Sequence, residues 1–175
     1  MAKEGLTKKR FAAYVSLVEL EAADYVADWP QSGELDLFHE LATMIIFTAT
    51  HCLHGKETRD QFTPDTAALY HDLDGGFSPL AWFFPSWMPF PSFRARDRAH
   101  LELKRRFIAV VQNRRAGGRT DHMDLMNTFL TAKYQKVNGG RGLNDEEVSG
   151  LLIALLMAGQ HTSSTTSAWF GFFIW

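Results

Sequence analysis

Cysteine is almost missing: Cys52 is the single one in 175 residues. It allows no intrachain disulfide and no cysteine-based zinc site, and a lone thiol fits a reducing compartment. No charge sign dominates either. Eighteen Lys and Arg stand against 20 Asp and Glu, for a formal net charge of −2. That balance excludes a global pull toward nucleic acid or anionic lipid. A membrane span needs about 20 mostly apolar residues, and the longest apolar stretch is interrupted by the polar block Gln160–Ser167. The opening MAKEGLTKKRF lacks the apolar stretch of a secretory signal. Repeats and low-complexity tracts are absent.

What is present is ordinary globular material with extra aromatics. Apolar residues make up 46% and charged residues 22%, while Phe, Trp and Tyr reach 13%. A chain of this size can bury a real core.

The pattern predicts an all-α fold with about seven helices and at most one short strand. Thr7 is a plausible N-cap for a helix through Trp29. Its apolar positions Phe11, Tyr14, Val15, Val18, Ala22, Tyr25, Val26 and Trp29 recur at three and four. Pro30-Gln31-Ser32-Gly33 breaks it. Glu34 to Leu37 alternates polar and apolar as a short strand would. Phe38 to Leu53 reads as an apolar helix stopped by Gly55. Thr63-Pro64-Asp65 opens a helix to about Asp74, with proline near its first position. Phe77 to Phe93 holds four prolines and seven aromatics. Arg94 to Arg115 reads as a long helix, basic outside. Ala116 to Asp121 is a link, His122 to Tyr134 another helix, and Asn138 to Gly142 a turn. Asn144 caps a final helix, with Asp145, Glu146 and Glu147 complementing its dipole.

That final helix carries the most information. Its first half is apolar all round, which predicts burial. Eight polar residues follow, Gln160 to Ser167. Ser and Thr in mid-helix bond back to carbonyls four residues earlier, so Thr162 can reach the Ala158 carbonyl. Ala158, His161, Thr162, Thr165 and Thr166 share one face. A small residue beside a hydroxyl and an imidazole suits a large flat ligand. Composition alone reads the same face as a polar patch closing on another helix.

The string Ala158-Gly159-Gln160-His161-Thr162-Ser163-Ser164-Thr165-Thr166-Ser167-Ala168-Trp169 resembles the central helix of sterol 14-alpha-demethylases, which are cytochrome P-450 haem-thiolate monooxygenases. The superfamily pattern is Ala/Gly-Gly-x-Asp/Glu-Thr, and the His-for-acid variant, here His161-Thr162, is particular to the sterol family. Three more blocks agree in order and spacing: Thr48–Glu57, Leu69–Ser78 and Pro89–His100. The resemblance covers essentially the whole chain, from the end of helix C into helix I, and looks closest to animal-type members.

It implies an enzyme that oxidises the 14-alpha-methyl group of a sterol and releases it as formic acid. The implied cofactor is haem (heme b), and the implied partners are the sterol and an NADPH-dependent cytochrome reductase. His161 and Thr162 match the catalytic pair that handles protons. Ala158, Gly159 and Thr162 match positions against the cofactor. Phe77, Trp82, Met157, Ala158 and Thr166 match substrate-cavity positions. Pro79 to Phe93 would line the substrate entrance and dip into a membrane surface, and the family implies the cytosolic face of the endoplasmic reticulum.

The family's cysteine segment, Phe-x-x-Gly-x-Arg/His-x-Cys-x-Gly, does not match around Cys52, where the corresponding positions are Ile45, Thr48, Thr50 and His54. Cys52 therefore reads as a buried small side chain. Glu102-x-x-Arg105 has the spacing of a later family pair but sits on a solvated basic helix. His51 and His54 lack the convergent partners of a metal site. Residues 1–175 are thus expected to be an internal fragment of one such domain, inactive and aggregation-prone alone. A free-standing helical sterol- or lipid-binding module, or a non-catalytic remnant, is the second reading.

Overall fold

The computed structural model describes residues 7–77, 79–118, 124–134 and 140–174, without the side chains of residues 8–10 and 80. Eight α-helices form among them: α1 Lys8–Ala27, α2 Leu37–Ala49, α3 Lys56–Arg59, α4 Pro64–Gly75, α5 Leu80–Phe83, α6 Pro91–Ala116, α7 Leu125–Thr131 and α8 Asp145–Ile174. A π-helical turn, Thr50–His54, continues α2. The fold is all-α, and the described residues hold one isolated antiparallel bridge, Lys133 to Gly142.

Local chemistry explains most helix starts. The Asp36 carboxylate accepts from the His39 N–H at 3.1 Å and opens α2. Pro64 follows an extended Thr63 to open α4. The Asp124 carboxylate accepts from Asn127 N–H at 2.8 Å and opens α7. Asn144 and Glu147 cap α8 reciprocally, each side chain accepting from the other's backbone N–H at 2.8 Å.

Several expectations are corrected. Glu34–Leu37 forms no strand, because no strand among the described residues is there to pair with it; Asp36 caps α2 and Leu37 begins it. The helix expected from Phe38 to Leu53 turns π-helical at Thr50, where the Thr50 hydroxyl donates to the Ile46 carbonyl at 2.7 Å. The helix expected from Arg94 starts at Pro91, since a first-turn proline gives up no helical hydrogen bond. The helix expected over His122–Tyr134 shortens to Leu125–Thr131, because Ala132 is extended and Lys133 pairs with Gly142. Residues 119–121 of the expected link and 138–139 of the expected turn lie outside the described residues, as do His122 and Met123. The first helix ends at Ala27, and its Phe11, Val15, Val18 and Val26 are exposed, not core. Contacts of α1 run chiefly to α2 and the π turn, which cover only its Glu21 side.

The core lies where α8 packs on α2 and α6, and α6 packs on α4. Ile46, Tyr70, Leu103, Phe107, Val111 and Leu152 are fully enclosed there. The first half of α8 was expected to be buried all round. Instead Val148, Leu152, Ile153 and Leu156 are buried while Leu151 and Ala154 face outward, because α2 and α6 cover one side only.

Two buried charge clusters hold the corners. Glu21 receives His51 Nδ1 at 2.7 Å and Arg59 Nε at 2.8 Å, joining α1, the π turn and α3. Arg114 donates to Asp124 at 2.6 Å, to the His54 carbonyl at 3.0 Å and to Glu57 at 3.2 Å. Beside this cluster Gly55 adopts φ +87°, left-handed backbone that favours glycine, and a Cβ there would meet the Asp124 carboxylate and the Arg114 guanidinium.

Candidate functional site

The polar second half of α8 stays helical through Gln160–Ser167. Its hydroxyls are absorbed locally, as their spacing predicts. Thr162 donates to the Ala158 carbonyl at 3.4 Å, Ser164 to Gln160 at 2.8 Å and Thr166 to Thr162 at 2.7 Å. Gln160 and Ser164 turn inward and are buried, whereas Ala158, His161, Thr162 and Thr166 are exposed. Ala158, Thr162 and Thr166 therefore share an open face, while His161 beside them reaches across to α2 and α4.

His161 is positioned by two other helices. Its Nδ1 lies 3.7 Å from Oδ2 of Asp74, an ion-pair distance just beyond a direct hydrogen bond. The Phe38 ring meets the imidazole edge-on, centroids 6.4 Å apart. Sequence reasoning did not single out Asp74 or Phe38. Asp74 was visible inside the Leu69–Ser78 block, but nothing local marked it as a partner of α8.

Asp74 also ties Phe77 to this corner. The Phe77 N–H donates to the Asp74 carbonyl at 2.9 Å, so Phe77 sits in the turn that ends α4. Phe77 is exposed, and Trp82 on α5 more so. Met157 is half-buried and packs against the apolar core. Of the named residues, Ala158, Gly159, His161, Thr162 and Thr166 come together on α8, and Phe77 joins their rim through Asp74. Trp82 stands on the separate aromatic segment.

The face is open at its small residues. Gly159 has open space where a Cβ would stand, and Ala158 beside it is exposed.

Nearby titratable groups behave differently. His71 stacks on His39 with centroids 4.8 Å apart, and burial with that neighbour holds its pKa below the usual value. Cys52 is buried, its thiol 4.0 Å from the Tyr14 carbonyl oxygen. Burial, with the Glu21 charge adding, pushes that thiol up to about 11, so it is no thiolate ligand. Among the described residues no three His, Cys, Asp or Glu converge on a metal position.

Residues 2–174 match the family model described as Cytochrome P450. The lanosterol 14-alpha demethylase of Bos taurus is 52% identical over 174 residues, covering 99% of this chain and 34% of that protein. The sterol 14-demethylase of Arabidopsis thaliana is 43% identical over 171 residues, covering 98% of this chain and 34% of that protein. Among solved structures, the retinoic acid bound cyanobacterial CYP120A1 superposes with a TM-score of 0.71 over 89% of this chain and 33% of that one. At 18% identity that likeness speaks for the fold alone. The chain spans about one third of the length of the curated relatives it matches.

Proposed function

The chain belongs to the cytochrome P450 family, and on that premise we propose that it is the internal part of a sterol 14-alpha-demethylase. Such an enzyme removes the 14-alpha-methyl group of a sterol by oxidation with O2. Electrons come from an NADPH-dependent cytochrome reductase, and haem b supplies the oxygen-activating chemistry when bound. Residues 1–175 form one stretch of a single domain whose cofactor-ligating cysteine is not Cys52.

The observation that carries this reading is the open Ala158-Gly159 face with His161 beside it, anchored by Asp74. Ala158, Gly159 and Thr162 would lie against the cofactor. The Asp74 carboxylate faces Nδ1 of His161 at 3.7 Å, so Nε2 is the nitrogen that would take and give protons. Thr162 places a hydroxyl one residue further along the same face. Phe77, Met157, Ala158 and Thr166 supply apolar and small surface for a sterol, with Trp82 at the entrance.

Within Pro79–Phe93 the exposed rings Trp82, Phe83, Phe84 and Trp87 are the surface that would meet a membrane, since Trp and Phe suit an interface, whereas Phe93 is buried and Pro91 already begins α6. No helix among the described residues is long and apolar enough to cross one. The cytosolic face of the endoplasmic reticulum is the proposed location.

The test is conversion of lanosterol by the full-length enzyme with a reductase, alongside its carbon-monoxide difference spectrum. Appearance of the 14-demethylated product, lost in His161→Ala with the spectrum retained, supports the assignment. A spectrally intact enzyme that leaves sterols untouched overturns it.

A further inference from the structure

The basic side chains of α6 divide into two groups. Arg96 pairs with Asp97, Lys104 with Glu146, Arg105 and Arg106 with Glu102, Arg114 with Glu57 and Asp124, and Arg115 with Asp145. Arg94 and Arg98 have no carboxylate partner among the described residues. Arg98 Nε reaches the Arg94 carbonyl at 3.4 Å, within its own helix.

The position of these two cations is unfavourable for the isolated helix. They stand near its N-terminal, positive end, where the first turn carries no acidic residue and the one carboxylate of the second, Asp97, is held by Arg96. Both are exposed, and with Pro89, Pro91 and Asp97 they line a shallow cleft. Asp97 is held by Arg96 at 2.7 Å, so its charge is already engaged. The segment leading into this helix end presents Trp82, Phe83 and Trp87 at 87%, 82% and 79% exposure.

Uncovered aromatic rings leading into unpaired guanidiniums match the chemistry of a bilayer edge: rings suit the headgroup level, cations suit the phosphates. We infer that Arg94 and Arg98 recognise anionic phospholipid headgroups, so that the aromatic segment docks preferentially on acidic membranes. The chain's net charge of −2 offers no such attraction, which makes the preference a property of this patch. The inference rests on the membrane-facing reading of Pro79–Phe93 and adds the lipid class.

The test is flotation of the full-length protein, purified without any membrane anchor, with two sets of vesicles. One set is phosphatidylcholine alone; the other adds a minority of phosphatidylserine. The expected result is about tenfold tighter binding to the acidic vesicles at low salt, from two cations near a charged surface, and loss of that preference at high salt. Arg94→Gln/Arg98→Gln, with unchanged circular dichroism, should remove the preference and keep binding to phosphatidylcholine. Trp82→Ser/Trp87→Ser should weaken binding to both. A preference retained by the arginine variant, or absent from the parent, overturns the headgroup assignment. Undiminished binding by the tryptophan variant, with the preference lost in the arginine variant, overturns the loop reading and leaves the headgroup one standing.

Discussion

Asp74 Oδ2 lies 3.7 Å from Nδ1 of His161, and this pair joins the end of α4 to the middle of α8. Phe38 of α2 closes on the same imidazole. The orientation of His161 is therefore a property of three helices rather than of α8 alone. A change at any of the three corners should be felt in proton handling.

Asp74→Asn keeps the size of the side chain and removes its charge. In the full-length enzyme it should lower kcat for sterol demethylation about tenfold, less than the roughly 100-fold expected for His161→Ala as a lost proton-transfer group. KM should change little, because Asp74 orients the imidazole rather than the sterol. Steady-state product formation, normalised to haem content, checks this. An unchanged kcat in Asp74→Asn would show that the pair is structural.

His54 provides a pH test of the core. It is fully enclosed, its ring meets Phe107 edge-on at 5.2 Å, and neither ring nitrogen has a partner. Burial, with the Arg114 charge adding, lowers its pKa to about 3. The unfolded chain takes up this proton near pH 6.5 and the folded chain does not, so stability falls as the pH drops from about 6.5 toward 3. Between pH 7.5 and 5 this group alone should remove about 2 kcal/mol. Comparing denaturant midpoints of the parent and His54→Met at both pH values isolates the effect. Equal pH slopes would rule it out.

Cys52 should be inert. With its pKa at about 11 against an ordinary 9, the thiolate fraction at pH 8 is about 100-fold depressed before steric access is considered. Native protein should label with iodoacetamide at least 100-fold more slowly at this residue than urea-unfolded protein, read by peptide mass spectrometry. Comparable rates would show that the π turn opens freely.

Arg114→Met should be the most damaging single change outside the site. It removes the guanidinium that meets the buried Asp124 carboxylate at 2.6 Å, and breaking a buried pair costs about 3–5 kcal/mol. Arg114→Met/Asp124→Asn removes both charges and should recover part of that loss. Urea denaturation followed by far-ultraviolet circular dichroism measures both. No recovery in the double variant would mean that the guanidinium acts mainly through the His54 carbonyl.

The parts of this fold that could be read from sequence are those written locally. Asn144 and Glu147 announce α8 because a capping box needs only residues three apart, and Pro64 announces α4 for the same reason. Glu34–Leu37 misled because alternation is only half of a strand; the other half is a partner. The π turn at Thr50–His54 was hidden in an unbroken apolar pattern. The apolar stripe of α1 marked a face that wants cover, but pattern cannot say whether cover is present. For the site, spacing brought Ala158, His161 and Thr162 to one face, while their roles came from resemblance. Asp74 escaped because its meeting with His161 is made by helix packing.

Gly55 has a consequence for inheritance. Its left-handed backbone and the crowding of Asp124 and Arg114 leave room for hydrogen alone. Any missense change in that codon must disturb the folded state, although the residue lies on a different element from the His161 face. Screens for loss of function should therefore recover alleles at codon 55 whose cause is structural, with protein abundance falling in step with activity.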